Sequence, residues 1–443
     1  MNRSYKSLRR LLDVIDHLVD DRVGIIHSVV EIPRRAGDPE FFQYLGQACN
    51  TQALSGKMNF SATGGVSTDR ESAIAKAVGE AVERYCSAFY ETDEMPLCSY
   101  ESATFPCVAA DKFALYSHEQ YRQQDFPYVP FETTTPVRWA QVINPMNGEV
   151  TFLPAAMVYL PYYYDFSEQE SPIVQPMSTG LACHCSTNEA AIGAICEVIE
   201  RDAFTITWQA ALARPCIVVE TLDDANYDRV NRFRDAGHSV TLFDITLDVG
   251  VPTVLSVLRN NVPQAPALVL AAAADLSPER AVCKSLEELE HTRRYSQLIT
   301  SHMPRLVPDP QYKNVVDQIS HLNFWCDHIN APLADFLFAS DKRIDFNEMT
   351  NLATGDAGQD LDGLLAKLHT IGHQSFIVDI TTPDIEELGL VVMRAVIPGF
   401  HPMFLGHELR ALGGSRLWEI PQKLGYRGVD RITGDNPIPH PFP

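Results

Sequence analysis

The stretches Glu80-Ala-Val-Glu83-Arg84 and Glu197-Val-Ile-Glu200-Arg201 are one pattern written twice. On a helix, positions i, i+3 and i+4 share a face, so each copy offers two carboxylates and a guanidinium together. Apolar residues flank both copies: Ala77, Val78, Ala81 and Val82 around the first, Ile195, Val198 and Ile199 around the second. The spacing predicts helices over residues 68–90 and 188–210, each with a partly buried charged stripe. A single copy reads as an ordinary surface ion pair, worth about 0.2–0.5 kcal/mol. Two copies in one register do not, because four carboxylates converging from two helices repel unless cations offset them. Hard oxygen ligands suit Mg2+, and Mg2+ held by carboxylates usually brings phosphates with it. The arginines then meet phosphate oxygens through forked hydrogen bonds.

The stripe extends outward from these motifs. Glu189, Gly193 and Glu197 stand four apart, which puts Glu189 two turns below Glu197. A third helix, predicted over residues 278–299, carries Lys284 and Glu288 at i,i+4. On spacing alone that pair serves equally as a solvent-facing ion pair. Upstream of the first helix, Ser61-Ala-Thr-Gly64-Gly65-Val-Ser67 reads as a Gly-Gly turn whose N–H groups can approach an anion. That signal is weak, and it is not a P-loop.

At 443 residues and 45% hydrophobic, the chain can bury a large core in two or three domains or in one composite domain. A formal net charge of −22 argues against general nucleic-acid binding and against docking on an anionic membrane. It does not exclude a nucleotide held by local cations. No apolar run reaches the roughly 18 residues of a membrane helix. The basic N-terminus is interrupted by Asp13 and Asp16, unlike a signal peptide. Leu8, Leu11, Leu12, Ile15 and Leu18 instead mark the buried face of an amphipathic helix. A cytoplasmic location is the expectation. The ten cysteines show no disulfide-framework spacing. The close pair in Cys183-His184-Cys185 lacks the second pair a zinc site needs, so buried thiols are expected.

Strand-like runs at 23–32, 151–164, 240–246, 252–258, 266–273, 374–380 and 390–397 are interspersed with the helices and with a further helical run at 360–372. Residues 95–140 read as loops with short strands. The fold class expected is α/β or mixed α+β, with mixed sheets packed by long helices. An N-terminal segment spans 1–60 and the principal domain 61–443. Within the latter, an irregular stretch at 303–345 is expected as a variable insertion, and a proline-rich tail occupies 436–443.

These motifs resemble the YcaO superfamily, over roughly residues 61–443. The family's S-x-x-x-E-x-x-E-R is matched from Lys76 to Arg84 except at its first position. Its second motif, S-x-G-x-x-x-x-N-x-x-x-E-A followed by E-x-x-E-R, resembles Ser178-Thr-Gly180 through Glu189 to Arg201. Its third, R-x-x-x-E, is matched at Glu288 with Lys284 in the Arg position. The resemblance implies that Glu80, Glu83, Glu197, Glu200 and Glu288 hold Mg2+. It implies that Lys76, Arg84, Glu189, Arg201 and Lys284 contact ATP. Lys76, Cys185 and Lys284 depart from the family's Ser, Asn and Arg, all on the nucleotide side.

The C-terminus Pro437-Ile-Pro439-His-Pro441-Phe-Pro443 resembles the P-x-P-x-P tail of YcaO cyclodehydratases, which make thiazole/oxazole-modified microcins and related peptides. Alternating prolines favour a stiff polyproline-like strand that can project to a defined point at little ordering cost. Composition alone equally allows a solvated tail without a role. Residues 389–400 resemble the strand leading towards such a tail. The implied reaction is attack of a Cys, Ser or Thr side chain of a ribosomal precursor peptide on the preceding carbonyl. The oxygen so formed takes the γ-phosphoryl group of ATP, and phosphate departs to leave an azoline. Pro439, Pro441 and Pro443 are the implied catalytic tail residues. No leader-capturing domain is evident, so the implied assembly is a homodimer in a hetero-oligomer with an E1-like or ThiF-like partner, and in some systems a flavin dehydrogenase. Thioamide or amidine formation is a first alternative, which the tail disfavours. A non-catalytic peptide or partner scaffold is a second, which the near-complete acidic motif disfavours.

Overall fold

A computed structural model describes residues 4–442 of the protein, with side chains from Leu8 onward. Its described strands form three sheets, and each predicted glutamate helix packs on one or two of them. The pairings are antiparallel except that of Cys216–Ile217 with Arg343–Ile344. The architecture is mixed α+β, as expected.

The first sheet joins Ile26–Glu31, Phe42–Ala48 and Ala62–Ser67 in chain order. The Arg70–Cys86 helix lies on it, N-capped by the Asp69 side chain, which accepts from the Ser72 N–H. Ala73, Ala77, Val78, Ala81 and Val82 form its buried face. Gly64 and Gly65 do not make the expected turn; they lie inside the Ala62–Ser67 strand. A Cβ on Gly65 would stand 2.1 Å from the Ala73 carbonyl oxygen, and one on Gly64 2.4 Å from the His291 ring. Glycine here lets a helix backbone and a histidine close onto the strand.

The second sheet runs Leu268–Ala274, Thr253–Arg259, Val240–Asp244, Cys216–Ile217, Arg343–Ile344. Its first two strands are almost wholly buried, and the Pro278–His302 helix covers them. The third sheet runs Leu97–Cys98, Val137–Ile143, Phe376–Asp379, Val391–Val396, Leu181–His184, with Val150–Pro154 beside Val137–Ile143. The Thr187–Gln209 helix lies on this sheet and also touches Leu268–Ala274 of the second. Its long buried list, from Ala190 to Gln209, fits a helix enclosed on most sides.

Other expectations change as well. The N-terminal helix Ser4–Asp13 breaks at Val14 and resumes as Ile15–Leu18; Leu11 and Leu18 are buried, while Leu8, Leu12 and Ile15 are half-buried. The stretch 303–345 is more ordered than its composition suggested. It contains the Gln318–Cys326 helix, started by a capping box between Asp317 and Ser320. Phe324, Trp325 and Leu337 from this stretch pack with Trp208 in one core cluster.

The proline tail does not project; it threads inward. Prolines have no N–H, so what the protein can grip is the carbonyls. Trp208 Nε1 donates to the Ile438 carbonyl at 2.9 Å and Trp325 Nε1 to that of Pro439 at 2.8 Å. His321 Nδ1 donates to the His440 carbonyl at 2.9 Å. The His440 ring donates from Nε2 to the Phe404 carbonyl at 2.9 Å and accepts the Phe442 N–H on Nδ1 at 3.2 Å. Pro441 is buried, and Pro443 lies outside the described residues.

His440 can make both ring bonds only when neutral. Burial pushes His321 down to about 4 and His407 to about 2, and holds His440 well below the ordinary histidine range. The unfolded chain takes these protons near pH ~6.5, whereas the folded chain resists them until far lower. Stability is therefore lost as pH falls below about 6.5, by up to about 1.4 kcal/mol per pH unit for each such histidine. The urea midpoint is expected to drop between about pH 7 and pH 5. His440→Asn keeps an acceptor for Phe442 but takes no proton, so its midpoint should drop less steeply. Equal slopes would show that His440 does not couple the tail to pH.

Candidate active site

Each glutamate of the doubled motif accepts a backbone N–H from a strand or from the residue just before one. Gly64 donates to Glu80 Oε2 at 3.0 Å, and Cys183 to Glu83 Oε1 at 2.7 Å. Gly180 donates to Glu197 Oε2 at 3.0 Å, and Ala274 to Glu200 Oε2 at 3.2 Å. Gly64 belongs to the first sheet and Ala274 to the second; Cys183 lies in the third, and Gly180 directly precedes its strand. The site therefore sits where the three sheets meet. Gly180 has a φ of 90°, and a Cβ there would stand 2.3 Å from the Ala395 carbonyl oxygen. Only glycine fits that position.

The carboxylates crowd one another, as their spacing predicted. Burial pushes Glu83 up to about 8; Arg84 opposes the shift, and Glu197 and Glu80 add to it. Burial likewise raises Glu200 to about 7, against Arg201 and together with Glu197. The guanidiniums have donors to spare. Arg84 Nη2 donates to Glu80 Oε1 at 3.1 Å, but its buried Nη1 has no hydrogen-bond partner. Arg201 Nε lies 3.2 Å from Glu200 Oε1 without hydrogen-bond alignment, and Nη2 lies 3.6 Å from Glu197 Oε1. The Phe442 ring centroid is 4.4 Å from Arg201 Cζ. Phe442 thus brings the described tail into contact with the motif.

This donor set fits Mg2+ and a polyphosphate. Hard carboxylate oxygens suit the cation, and the unspent guanidinium N–H groups suit phosphate oxygens. Among the described residues no three acidic, His or Cys side chains close into a ready metal cage. Mg2+ is commonly held by one or two carboxylates, with phosphates and water completing its octahedron.

The remaining predicted residues divide. Glu288 faces the site: partial desolvation works to raise its half-exposed carboxyl, but His291 at 3.7 Å, Lys76 and Arg201 together hold it down to about 2. Lys284 does not pair with Glu288; its Nζ is 2.7 Å from Asp275 Oδ2. Lys76 Nζ is 2.7 Å from Glu287 Oε2, and Glu287 also accepts from Ser67 Oγ at 3.0 Å. Glu189 lies at the start of its helix, accepting from Ser186 Oγ at 2.8 Å and standing 3.4 Å from the His184 ring. Cys185 precedes the cap residue Ser186.

Sequence reasoning missed Asp275, Glu287, His291 and Arg394. Two of them carried a legible signal. Asp275 directly follows the seven-residue apolar strand Leu268–Ala274, and Arg394 interrupts the apolar strand Val391–Val396. A charge at or in a buried strand needs a partner or a function.

Comparisons with known proteins agree with this geometry. The family model described as YcaO cyclodehydratase, ATP- and Mg2+-binding, matches residues 64–401. An uncharacterized protein of Methanothermobacter thermautotrophicus is 26% identical over 359 residues, 78% of this chain and 85% of its own. A heterocyclase solved in complex with substrate and cofactor superposes with TM-score 0.81 at 19% identity. That superposition covers 98% of this chain and 57% of the heterocyclase, so the chain spans little more than half of that protein's length. YcaO from Methanopyrus kandleri, solved with AMPPCP and Mg2+, superposes with TM-score 0.63 at 16% identity, covering 88% of this chain and 90% of its own. With about three quarters of its length matched by the family model, the chain belongs to the YcaO family, whose ligands are ATP and Mg2+.

Proposed function

We propose that the protein is an ATP-dependent cyclodehydratase that converts Cys, Ser or Thr residues of a ribosomal precursor peptide to thiazolines or oxazolines. The observation that carries this reading is the proline tail, drawn through the core to set Phe442 against Arg201 of the glutamate motif. A tail used only as a solvated end has no need of two tryptophan N–H clamps.

When bound, ATP supplies the phosphoryl group that makes an amide oxygen a leaving group, and Mg2+ offsets the charge on its phosphates. Glu80, Glu83, Glu197 and Glu200 would hold the cation, each aimed by its backbone N–H bond. Glu288, kept ionised by His291, adds a fifth carboxylate from the third helix. With a cation balancing the glutamates, Arg84 and Arg201 would have donors free for phosphate oxygens. Phe442 limits where the Arg201 guanidinium can go. Lys76 and Lys284 act through Glu287 and Asp275, which hold them beside the nucleotide. The precursor peptide is presented by an E1-like or ThiF-like partner to a homodimer of this chain.

Two experiments test this. Glu83→Gln and Glu200→Gln keep an acceptor for the strand N–H and remove the charge. These carboxyls have folded values raised above the ordinary 4.5, to about 8 and about 7, so charging them costs stability as pH rises through that window. At about pH 8 without ligand, both variants are expected to melt no lower than wild type, and up to several degrees higher. Their calorimetric affinity for Mg2+·AMPPCP is expected to fall at least about tenfold, the loss of one charge-assisted contact. Unchanged affinity in both would remove these residues from the metal site.

The second experiment reconstitutes the chain with a precursor peptide and its leader-binding partner. Azoline formation shows as loss of one water per ring, with release of ADP and phosphate. Phe442→Ala is expected to slow ring formation about tenfold or more while Mg2+·AMPPCP still binds. Exchange of oxygen for sulfur in the product would sink the azoline reading.

A further inference from the structure

A half-open cavity of about 120 Å³ lies beside Arg201. Its walls are mainly apolar, with Met157, Val174, Met177, Phe400 and Met403 among them. Arg201 and Arg394 are among the residues that line it. Arg394 is only 4% exposed. Its Nε and Nη2 both donate to the Met157 carbonyl, at 3.2 and 2.9 Å. Its Nη1 is buried and has no hydrogen-bond partner. Buried donors in native proteins are rarely left unpaired.

An unpaired N–H beside an apolar cavity suits an acceptor that arrives with apolar substance attached. A peptide residue has that form, with a carbonyl oxygen next to an aliphatic side chain. The size is also suitable. An aliphatic-lined cavity of about 150 Å³ takes up benzene, so this one fits a side chain of Val or Leu size. Arg201 belongs to both the cavity lining and the glutamate motif, so a carbonyl bound here lies next to the nucleotide site.

We propose that this cavity is the subsite for the substrate residue whose carbonyl is activated, with Arg394 Nη1 donating to the carbonyl oxygen and the apolar walls taking an aliphatic side chain. The inference rests on the cyclodehydratase reading and adds to it a preference for the residue before the one that cyclises. Arg394 is thus a substrate-positioning residue.

The test uses the full chain and three small probes: the N-acetyl N-methylamides of leucine, glycine and aspartate. Binding is read by saturation-transfer NMR titration, and Mg2+·AMPPCP affinity by calorimetry on the same samples. The leucine amide is expected to bind at least about tenfold tighter than the other two. Val174→Phe fills the cavity and should abolish that preference while leaving AMPPCP affinity within about twofold. Arg394→Met should weaken the leucine amide about fivefold, with Arg394→Lys recovering part of the loss. Equal binding of leucine and glycine amides, or a preference that survives Val174→Phe, overturns the subsite. If the wild type binds AMPPCP and shows no leucine preference, the subsite alone is wrong. If it does not bind AMPPCP at all, the underlying reading falls and the subsite falls with it.

Discussion

Four glutamates held close together in a partly buried space are the constraint on which the rest of the structure depends. Left to themselves they would protonate or move apart. The protein holds each with a backbone N–H taken from three different sheets. A backbone donor carries no charge of its own to neutralise the group, so it fixes the carboxylate's place without cancelling its affinity for a cation. The arrangement explains why the glutamates come in pairs on long helices. Two carboxylates three residues apart can reach strand ends on two sides of one helix only if the helix is wedged between sheets. The Thr187–Gln209 helix is so placed, with Glu197 reaching Gly180 and Glu200 reaching Ala274.

Around this centre the acidic chain arranges its cations with care. Lys76 and Arg229 share Glu287, while Lys284 and Arg280 share Asp275. Next to Arg201, Asp202 forms a two-pronged pair with Arg416 at 2.8 and 2.7 Å, and Asp202 also accepts the His401 N–H at 2.8 Å. Such buried pairs are weak evidence for net stability, because desolvation offsets their attraction. Their directional bonds do fix position. This one ties the helix that carries Glu197, Glu200 and Arg201 to the segment around His401 that lines the cavity.

Much of this was legible in the sequence because it obeys short-range rules. The E-x-x-E-R repeat and its apolar flanks are local, and the three helices formed where the spacing put them. Partnerships across the fold were not legible. Lys284 has Glu288 one turn away, yet Asp275 wins it, because a carboxylate at the end of a buried strand needs a cation more than one half-exposed beside His291. Gly64-Gly65 looked like an anion turn because glycine is permissive; what required it was close approach of His291 and the Ala73 carbonyl, contacts made from outside the strand. The 303–345 stretch looked irregular because its helix is short and its aromatic residues serve a distant segment.

That distant segment is the tail, and it shows how sequence rigidity becomes positional information. A run of alternating prolines offers carbonyls but few N–H groups, so it cannot pair with a sheet edge and slide in register. Donors from single side chains must fix it point by point. Trp208, Trp325 and His321 do so at three consecutive carbonyls, Ile438, Pro439 and His440. Slippage by one residue would break all three bonds and move Phe442 off Arg201. The indoles come from the central helix and from the stretch that composition marked as irregular, so the ordering of that stretch, the path of the tail and the setting of the Arg201 guanidinium are one coupled structural fact.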